Sequence, residues 1–495
     1  MQNVETSNNI GSVAATTPLC VDLDGTLIAT DLLFESVVLL AKQKPWLLVL
    51  LPLWLLRGKA VLKERIASNV RMNVATLPYR EPFLNWLREE KARGCDLYLV
   101  TASDARFAQA VADHLGIFAG WRASNGTVNL SGRKKRELLV REFGEGGFRY
   151  AGNAHVDGEV WAHSSGAVVI GSRAVADVAA KTVPVERFFE MPGLRLKKIL
   201  KAIRVHQWVK NILVFTVLFT SQRALNSGTW VSAIVAFFAV SLCASAIYVV
   251  NDLLDLESDR RHPTKCNRPF ASGEVPILLG IFLSPMLLVA GLSLGFLLPL
   301  EARVLICVYP IISLTYSFFL KRKMLVDLFA LAILYTLRIL VGGAATQTPV
   351  SSWLLGFSIF FFLSLALAKR ASELFNLKKR SLDNASGRDY FVWDLLQIHI
   401  FGGASAFASG IILALYVHSP AIGTLYKQPS WLWITVIAVI YWVCRIWMLA
   451  NRGALNEDPI SFAVRDRLTY LIGVAVLISA FLATSSSIPL PGVQP

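Results

Sequence analysis

A chain of 495 residues in which 54% of side chains are hydrophobic is too apolar for a soluble protein of its size, so much of it must lie in lipid. The net charge of +15 does not indicate nucleic acid, because the basic residues gather at the ends of apolar runs, where membrane topology puts them. Six scattered cysteines, Cys20, Cys95, Cys243, Cys266, Cys307 and Cys444, form no CxxC pair, which argues against a disulfide framework or a structural zinc site and for a reducing compartment.

The first 19 residues are polar and lack the apolar core of a cleavable signal peptide. Residues 1–190 alternate short apolar strands, at 19–23, 96–100, 150–151 and 167–170, with helix-like runs, which predicts a cytoplasmic α/β domain. Asp22-Leu23-Asp24-Gly25-Thr26 closes the first strand, where an open α/β sheet presents its reactive side chains. Two carboxylates at that spacing can divide labour on a phosphate ester, one attacking phosphorus and the other handling the leaving-group proton, with Mg²⁺ screening their repulsion. The apolar run 46–56 is too short to span a bilayer; a buried helix of this domain is expected, with an interfacial helix as the alternative.

From about residue 191 to the end the pattern becomes an all-α polytopic membrane domain. Nine spans are predicted near 208–222, 230–250, 277–299, 302–320, 324–346, 352–368, 399–417, 430–449 and 467–486, the first and sixth being short. Basic residues crowd the segment before the first span and every second loop after it, including Lys321, Arg322, Lys323, Lys378, Lys379, Arg380, Arg388 and Arg452, whereas the opposite loops carry only Arg223, Arg303 or Lys427. By the positive-inside rule this predicts a multi-pass protein of the cell (inner) membrane, its amino-terminal domain cytoplasmic and its carboxyl terminus outside.

Asn251-Asp252-Leu253-Leu254-Asp255-Leu256-Glu257-Ser258-Asp259 follows the second span directly, with Arg260, Arg261, His262, Lys265 and Arg268 behind it. On a helix Asp252, Asp255 and Asp259 fall within roughly a 60° arc, so three carboxylates share one face. Like charges so placed repel unless a cation sits among them, and hard oxygen donors with nearby Lys and Arg suit Mg²⁺ bridged to substrate phosphates. A solvated anchoring loop would not need that array. On the same predicted side lie Gln207-Trp208-Val209-Lys210-Asn211, the stretch from Tyr316 through Lys321 to Asp327, and Lys369-Arg370-Ala371-Ser372-Glu373. Lys321-Arg322-Lys323 has topology anchoring as its competing explanation, while Asp327 and Arg338, ionisable groups within apolar spans, are functional candidates. Together these groups suit a reaction in which metal-bound diphosphate leaves a donor and a lipid-borne group takes its place.

Asn-Asp-x-x-Asp-x-x-x-Asp after the second of nine spans resembles the first acidic motif of the UbiA-type membrane prenyltransferase superfamily, over residues from about 195 to the end. His262-Pro263-Thr264-Lys265-x-x-Arg268-Pro269, Ala271-Ser272-Gly273 and Gln207-Trp208-Val209-Lys210-Asn211 are similar to its decaprenyl-phosphate phosphoribosyltransferase branch. That resemblance implies an Mg²⁺-dependent, all-helical enzyme with phosphoribosyl diphosphate as donor and a polyprenyl phosphate as acceptor. It implies that Asn251, Asp252, Asp255 and Asp259 hold metal and donor, that Lys265 and Arg268 contact phosphates, and that Lys210 and Lys321 contact the lipid phosphate. Aromatic prenyltransferases of the superfamily have a second aspartate-rich motif, for which this chain offers Asp327 alone; that departure favours the phosphoribosyl branch over the rival reading, transfer of a polyprenyl group to an aromatic acceptor.

The amino-terminal DxDGT resembles motif one of the haloacid dehalogenase (HAD) superfamily over about residues 17–185. The resemblance implies that Thr101 and Ser103 hold phosphate, that Lys134 or Lys135 neutralises charge, and that Asp157 joins Asp22 and Asp24 at a metal. Asn153 replaces an acidic residue of the fourth motif, which weakens metal binding. An active domain would take the 5-phosphate from the lipid-linked product; an inactive one would be regulatory or a scaffold. A transporter is disfavoured, since the chain has no clear inverted repeat. The polar stretches 381–389 and 456–458 read as exposed loop with no assigned role.

Overall fold

Leu19–Val21 forms strand β1, buried on both sides, with Leu19 and Val21 in one apolar core and Cys20 in another. That is the signature of a central parallel strand covered by helices on both faces. Leu97–Asp104 (β2), Gly120–Ser124 (β3), Arg149–Gly152 (β4), Gly166–Gly171 (β5) and Val185–Glu190 (β6) complete a six-stranded sheet in the order β3-β2-β1-β4-β5-β6, with every pairing parallel. In such a doubly wound sheet the strand order reverses beside β1, so the crevice at the carboxyl ends of β1 and β4 is where ligands sit. Strands β3 and β6, absent from the sequence reading, lie at the sheet edges and are only partly buried, which is why their hydrophobic signal is weak.

The computed structural model describes residues 17–191, 193–220, 227–379, 381, 389–455 and 459–485. Arg223, Arg380, Arg388 and the polar runs 382–388 and 456–458 lie outside them. Two units divide the chain: residues up to Ala202 with Val249–Phe282, and Ile203–Tyr248 with the residues from Leu283 onward.

The first unit contains the sheet and the helices Leu32–Gln43 (α1), Leu51–Leu56 (α2), Lys59–Asn69 (α3), Glu81–Ala92 (α4), Ala105–Leu115 (α5), Arg133–Phe143 (α6), Gly158–Trp161 (α7), Arg173–Ala180 (α8) and Leu196–Ala202 (α9). It also contains the loop that carries the acidic motif. Arg260 forks onto Glu35 of α1, with Nη2 to Oε2 at 3.2 Å, and its Nε donates to the Ala271 carbonyl at 2.9 Å. Gly273, at φ +74°, lies so close to the Ala29 carbonyl that a Cβ would collide with it, so this turn requires glycine on both counts. Lys198 pairs with Glu274 at 3.4 Å. The Glu35 and Arg260 side chains are about as buried as each other, at 5% and 7% exposure. Arg260→Leu should therefore strand a carboxylate and lower stability by about 2 kcal/mol, with Thr30 Oγ still bonded to Glu35. Thermal unfolding in detergent checks this, and the Glu35→Leu/Arg260→Leu double variant should recover most of the loss.

In the second unit Thr216–Thr220 (α10) follows a 3₁₀ segment, Val205–Phe215. Eight helices among the described residues are long and apolar enough to cross a membrane: Ser227–Leu254 (α11), Ile277–Gly295 (α13), Leu300–Phe318 (α14), Val326–Ala345 (α15), Ser352–Lys379 (α16), Leu395–Val417 (α17), Leu432–Asn451 (α18) and Arg467–Ser485 (α20). Leu256–Arg261 (α12) and Pro459–Ala463 (α19) are short helices between them. Among the described residues, eight of the nine predicted spans correspond to these helices. The first predicted span, 208–222, overlaps the shorter apolar stretch Val205–Phe219, which is largely 3₁₀, and residues 221–222 lie outside the described ones. The sixth, short in the sequence reading, is instead a helix of 28 residues, because its polar continuation from Lys369 stays helical. Gly342 of α15 explains one close approach, since a Cβ there would strike the Val214 carbonyl of the 3₁₀ segment.

Candidate functional site

Asp22 emerges directly from β1 and accepts from Lys135 Nζ on Oδ1 at 2.7 Å and from Thr26 Oγ1 on Oδ2 at 3.3 Å. Lys135, on α6, also donates to Tyr150 OH at 2.8 Å, and Tyr150 OH donates to Asp157 at 3.1 Å. Lys134, the alternative by sequence, is exposed, so Lys135 is the lysine that reaches the carboxylate. Burial pushes the Asp22 carboxyl up to about 6 despite the opposing pull of Lys135. Asp24 faces the other way, accepting from Leu32 N at 2.8 Å, Ser103 Oγ at 2.6 Å and Thr101 Oγ1 at 3.3 Å, and burial raises its pKa also. Lys63 of α3, missed by sequence reading, reaches the same end of the sheet and bonds Asn129 at 3.0 Å; burial lowers its pKa while Asp24 opposes that.

The sequence reading placed a metal on Asp22, Asp24 and Asp157. Asp157 instead accepts from the backbone amides of Asn153 and Ala154 at 3.0 and 2.9 Å, so it fixes its own loop. The oxygens that converge are those of Asp22 and Asn153, both bonded to the Thr26 hydroxyl, Asn153 at 3.1 Å. One carboxylate and one amide oxygen fit a hard cation in kind while supplying a single negative charge.

The acidic loop forms a second cluster in the same unit. The long helix α11 ends at Leu254 and α12 begins at Leu256, so the helix breaks at Asp255 (φ −98°, ψ 10°). Backbone bonds from Asp255 N to Asn251 O and from Asp259 N to Asp255 O, 2.9 and 2.8 Å, preserve the four-residue spacing across the break. Asp252 and Asp259 therefore stay together, buried at 2% and 3% exposure, and both accept from Arg268 Nη1, at 3.1 and 2.6 Å. Burial raises the Asp259 pKa, and Arg268 pulls it back. Asp255 and Asn251 are half-buried, and Lys265 is exposed. Arg268, expected on substrate phosphates, here sits between the two carboxylates. Among the described residues no three His, Cys, Asp or Glu side chains gather around one ion-sized space. The donor set still suits Mg²⁺, because two buried carboxylates already converge on a single cationic group.

In the second unit the 3₁₀ segment buries Lys210 and Asn211. Asn211 bonds Ser241 Oγ of α11 at 2.9 Å and accepts from Arg338 Nε of α15 at 2.7 Å. Arg338 also donates to Tyr309 OH at 2.8 Å and to the Leu334 carbonyl, and it lies 5.2 Å from the Tyr335 ring centre. Lys210 Nζ is 5.9 Å from that same ring. Two cations thus lie against one aromatic ring, and among the described residues no salt bridge neutralises Arg338.

Asp327 does not join them. It pairs with Arg370 of α16 and accepts from Tyr390 OH at 2.6 Å, while Tyr390 OH accepts from Leu325 N at 2.8 Å. Leu325 has φ +61°, so this group holds a strained helix start in place. Arg370, named in the sequence reading only as part of the Lys369–Glu373 stretch, is the member of that stretch that reaches Asp327. Tyr316, Lys321 and Lys369 are half-buried.

Residues 212–485, more than half of the chain, match the model of the UbiA prenyltransferase family. The uncharacterized protein y4nM of Sinorhizobium fredii is 38% identical over 94% of this chain and 90% of its own length. The nodulation protein NoeC of Azorhizobium caulinodans is 32% identical over 56% of this chain and 90% of its own. The decaprenyl-phosphate phosphoribosyltransferase of Mycobacterium tuberculosis is 32% identical over 57% of this chain and 93% of its own. With eight apolar helices able to cross a bilayer and a family match covering most of the helical part, this integral membrane protein belongs to the UbiA prenyltransferase family.

Proposed function

We propose that the chain transfers 5-phosphoribose from phosphoribosyl diphosphate to a polyprenyl phosphate. The observation that carries this reading is the likeness to decaprenyl-phosphate phosphoribosyltransferase across nearly all of that protein's length. The Asp252, Asp259 and Arg268 group supports it, since two buried carboxylates and a half-buried guanidinium are the kinds of group that a cation and a diphosphate call for.

Asp252, Asp259 and Asp255 would hold Mg²⁺ together with the donor diphosphate. When bound, the ion would offset the charge that collects on the departing diphosphate. Arg268, released from the carboxylates as the donor arrives, turns to a phosphate oxygen as a charge-assisted donor. Lys210 and Arg338 bind the lipid phosphate, whose oxygen attacks the anomeric carbon. One carbon–oxygen bond forms as the bond to diphosphate breaks, and the anionic nucleophile needs no base. Arg338→Gln keeps hydrogen-bonding capacity but removes the charge, so the KM for polyprenyl phosphate should rise about 30-fold, or ~2 kcal/mol, with the donor KM unchanged. Steady-state kinetics on each substrate checks this.

Pyrophosphate release from the purified protein should require lipid phosphate, phosphoribosyl diphosphate and Mg²⁺ together. Release from a polyprenyl diphosphate in the presence of an aromatic acceptor, and not from phosphoribosyl diphosphate, would sink the proposal in favour of prenyl transfer.

A second reading concerns the α/β domain and is favoured by the Asp22–Lys135 contact at 2.7 Å beside the sheet's reversal point. Asp22 would attack phosphorus as its bond to the ribose 5-oxygen breaks, Asp24, held by Thr101 and Ser103, would supply the proton to that oxygen, Lys135 would oppose the phosphoryl charge, and water would then cleave the aspartyl phosphate to release inorganic phosphate. Asp22→Asn should then leave lipid transfer intact and abolish inorganic phosphate release, measured by a colorimetric assay. Phosphate release at the wild-type rate in that variant would refute it.

A further inference from the structure

Pro45–Leu50 is a 3₁₀ helix and Leu51–Leu56 the short α2, and no residue of either is buried. One side of this tip is accounted for: Leu47, Leu48, Leu51 and Trp54 pack against the apolar core of the α/β domain. The other side is equally apolar and faces outward, with Trp46 67%, Val49 78%, Leu53 57%, Leu55 51% and Leu56 84% exposed. An ordinary surface helix is polar on its outer face, so an apolar outer stripe calls for an apolar partner. The sequence reading favoured a buried helix here; the structure exposes it.

The charges around the tip select the partner. Residues 42–63 contain Lys42, Lys44, Arg57, Lys59 and Lys63 and no acidic residue. Lys42, Arg57 and Lys59 are exposed at the two ends of the apolar stripe. Tryptophan with leucine on one face and a basic rim suits the headgroup boundary of an anionic bilayer. A second copy of the chain would bring the two basic rims together, and like charges disfavour that. The two six-residue helices reach at most about 21 Å end to end, well short of the ~30 Å hydrocarbon core, so the tip cannot span. A bilayer is in any case at hand, because the chain carries eight membrane-crossing helices.

We propose that Pro45–Leu56 is an interfacial anchor: Trp46, Val49, Leu53 and Leu56 enter the boundary between headgroups and acyl chains, while Lys42, Arg57 and Lys59 stay among lipid phosphates. The anchor keeps the α/β domain at the surface where a lipid-borne phosphate would meet it. It stands whether or not the chain transfers phosphoribose.

The test uses the full chain with Cys266, Cys307 and Cys444 replaced by Ser, reconstituted in vesicles of phosphatidylcholine and phosphatidylglycerol. An environment-sensitive fluorophore is attached at Leu56→Cys or Val49→Cys, with Glu89→Cys, on an exposed turn of α4, as the reference. A lipid nitroxide near the glycerol should quench the label at 49 and 56 several-fold more than at 89. The added changes Arg57→Glu and Lys59→Glu should reduce that quenching, more so in vesicles rich in phosphatidylglycerol. Equal quenching at all three positions would overturn the proposal. So would efficient thiol cross-linking between copies through position 56 in dilute vesicles, which would identify a second copy as the occupant.

Discussion

Asp252→Asn should lower turnover by about 1000-fold while the protein remains folded. The asparagine keeps the shape of a side chain that is 2% exposed, and Arg268 retains its shorter bond to Asp259 at 2.6 Å, so the loop keeps its closure. What is lost is one of two converging negative charges, and with it the grip on a cation and the diphosphate it carries. Electrostatic groups of this kind contribute about 100- to 1000-fold each when removed, and a metal-binding carboxylate belongs at the upper end. Asp259→Asn should behave alike, because both oxygens address the same guanidinium. Size-exclusion behaviour and thermal unfolding in detergent, measured beside turnover, separate lost chemistry from lost structure. Near-normal turnover in both variants would remove the acidic loop from the reaction.

Asp327→Asn is expected to act on the fold. Asp327 is fully buried and Arg370 nearly so, at 0% and 2% side-chain exposure, which makes theirs the most deeply buried ion pair described above. Removing the carboxylate's charge leaves a guanidinium in an apolar surround with only the more exposed Glu373 to compensate. Breaking a buried pair by one partner costs about 3–5 kcal/mol. The same change weakens the Tyr390 bond that steadies Leu325 at its left-handed φ. The expected result is a marked fall in thermal stability in detergent, with residual activity limited by the amount of folded protein. A stable Asp327→Asn protein that had lost activity would return Asp327 to the substrate site, where the sequence reading placed it.

The two halves differ in how much their sequences disclose. The α/β half is legible where apolar strands end in polar motifs: Asp22 follows β1 as expected, whereas Thr101 and Ser103, expected just after a strand ending at residue 100, lie within β2, which continues to Asp104. Its edge strands escape notice because partial burial blurs the period-two pattern. Asn153 and Asp157 are visible as residues, yet their direction is not, since it depends on backbone amides that sequence does not locate. In the membrane half, hydropathy finds the long helices, and its first predicted span falls on Val205–Phe219, apolar but shorter among the described residues than a span requires. The spacing of Asp252 and Asp259 correctly puts them together. The break at Asp255 and the closing of Arg268 on the pair lie beyond a helical-wheel argument, because an arginine nine residues away can contact either phosphate or carboxylate. Likewise Arg338 and Asp327 are recognisable as costly intramembrane charges, while their separate partners, Asn211 with Tyr309 and Arg370 with Tyr390, come from segments remote in sequence.

The most direct measurement is mass spectrometry of the lipid fraction after the full chain has been incubated with polyprenyl phosphate, phosphoribosyl diphosphate and Mg²⁺. The account predicts polyprenyl phosphate carrying an added pentose or pentose phosphate, absent when Mg²⁺ is chelated and absent with Asp252→Asn. An unchanged polyprenyl phosphate under conditions where an aromatic acceptor gains a prenyl chain would contradict it.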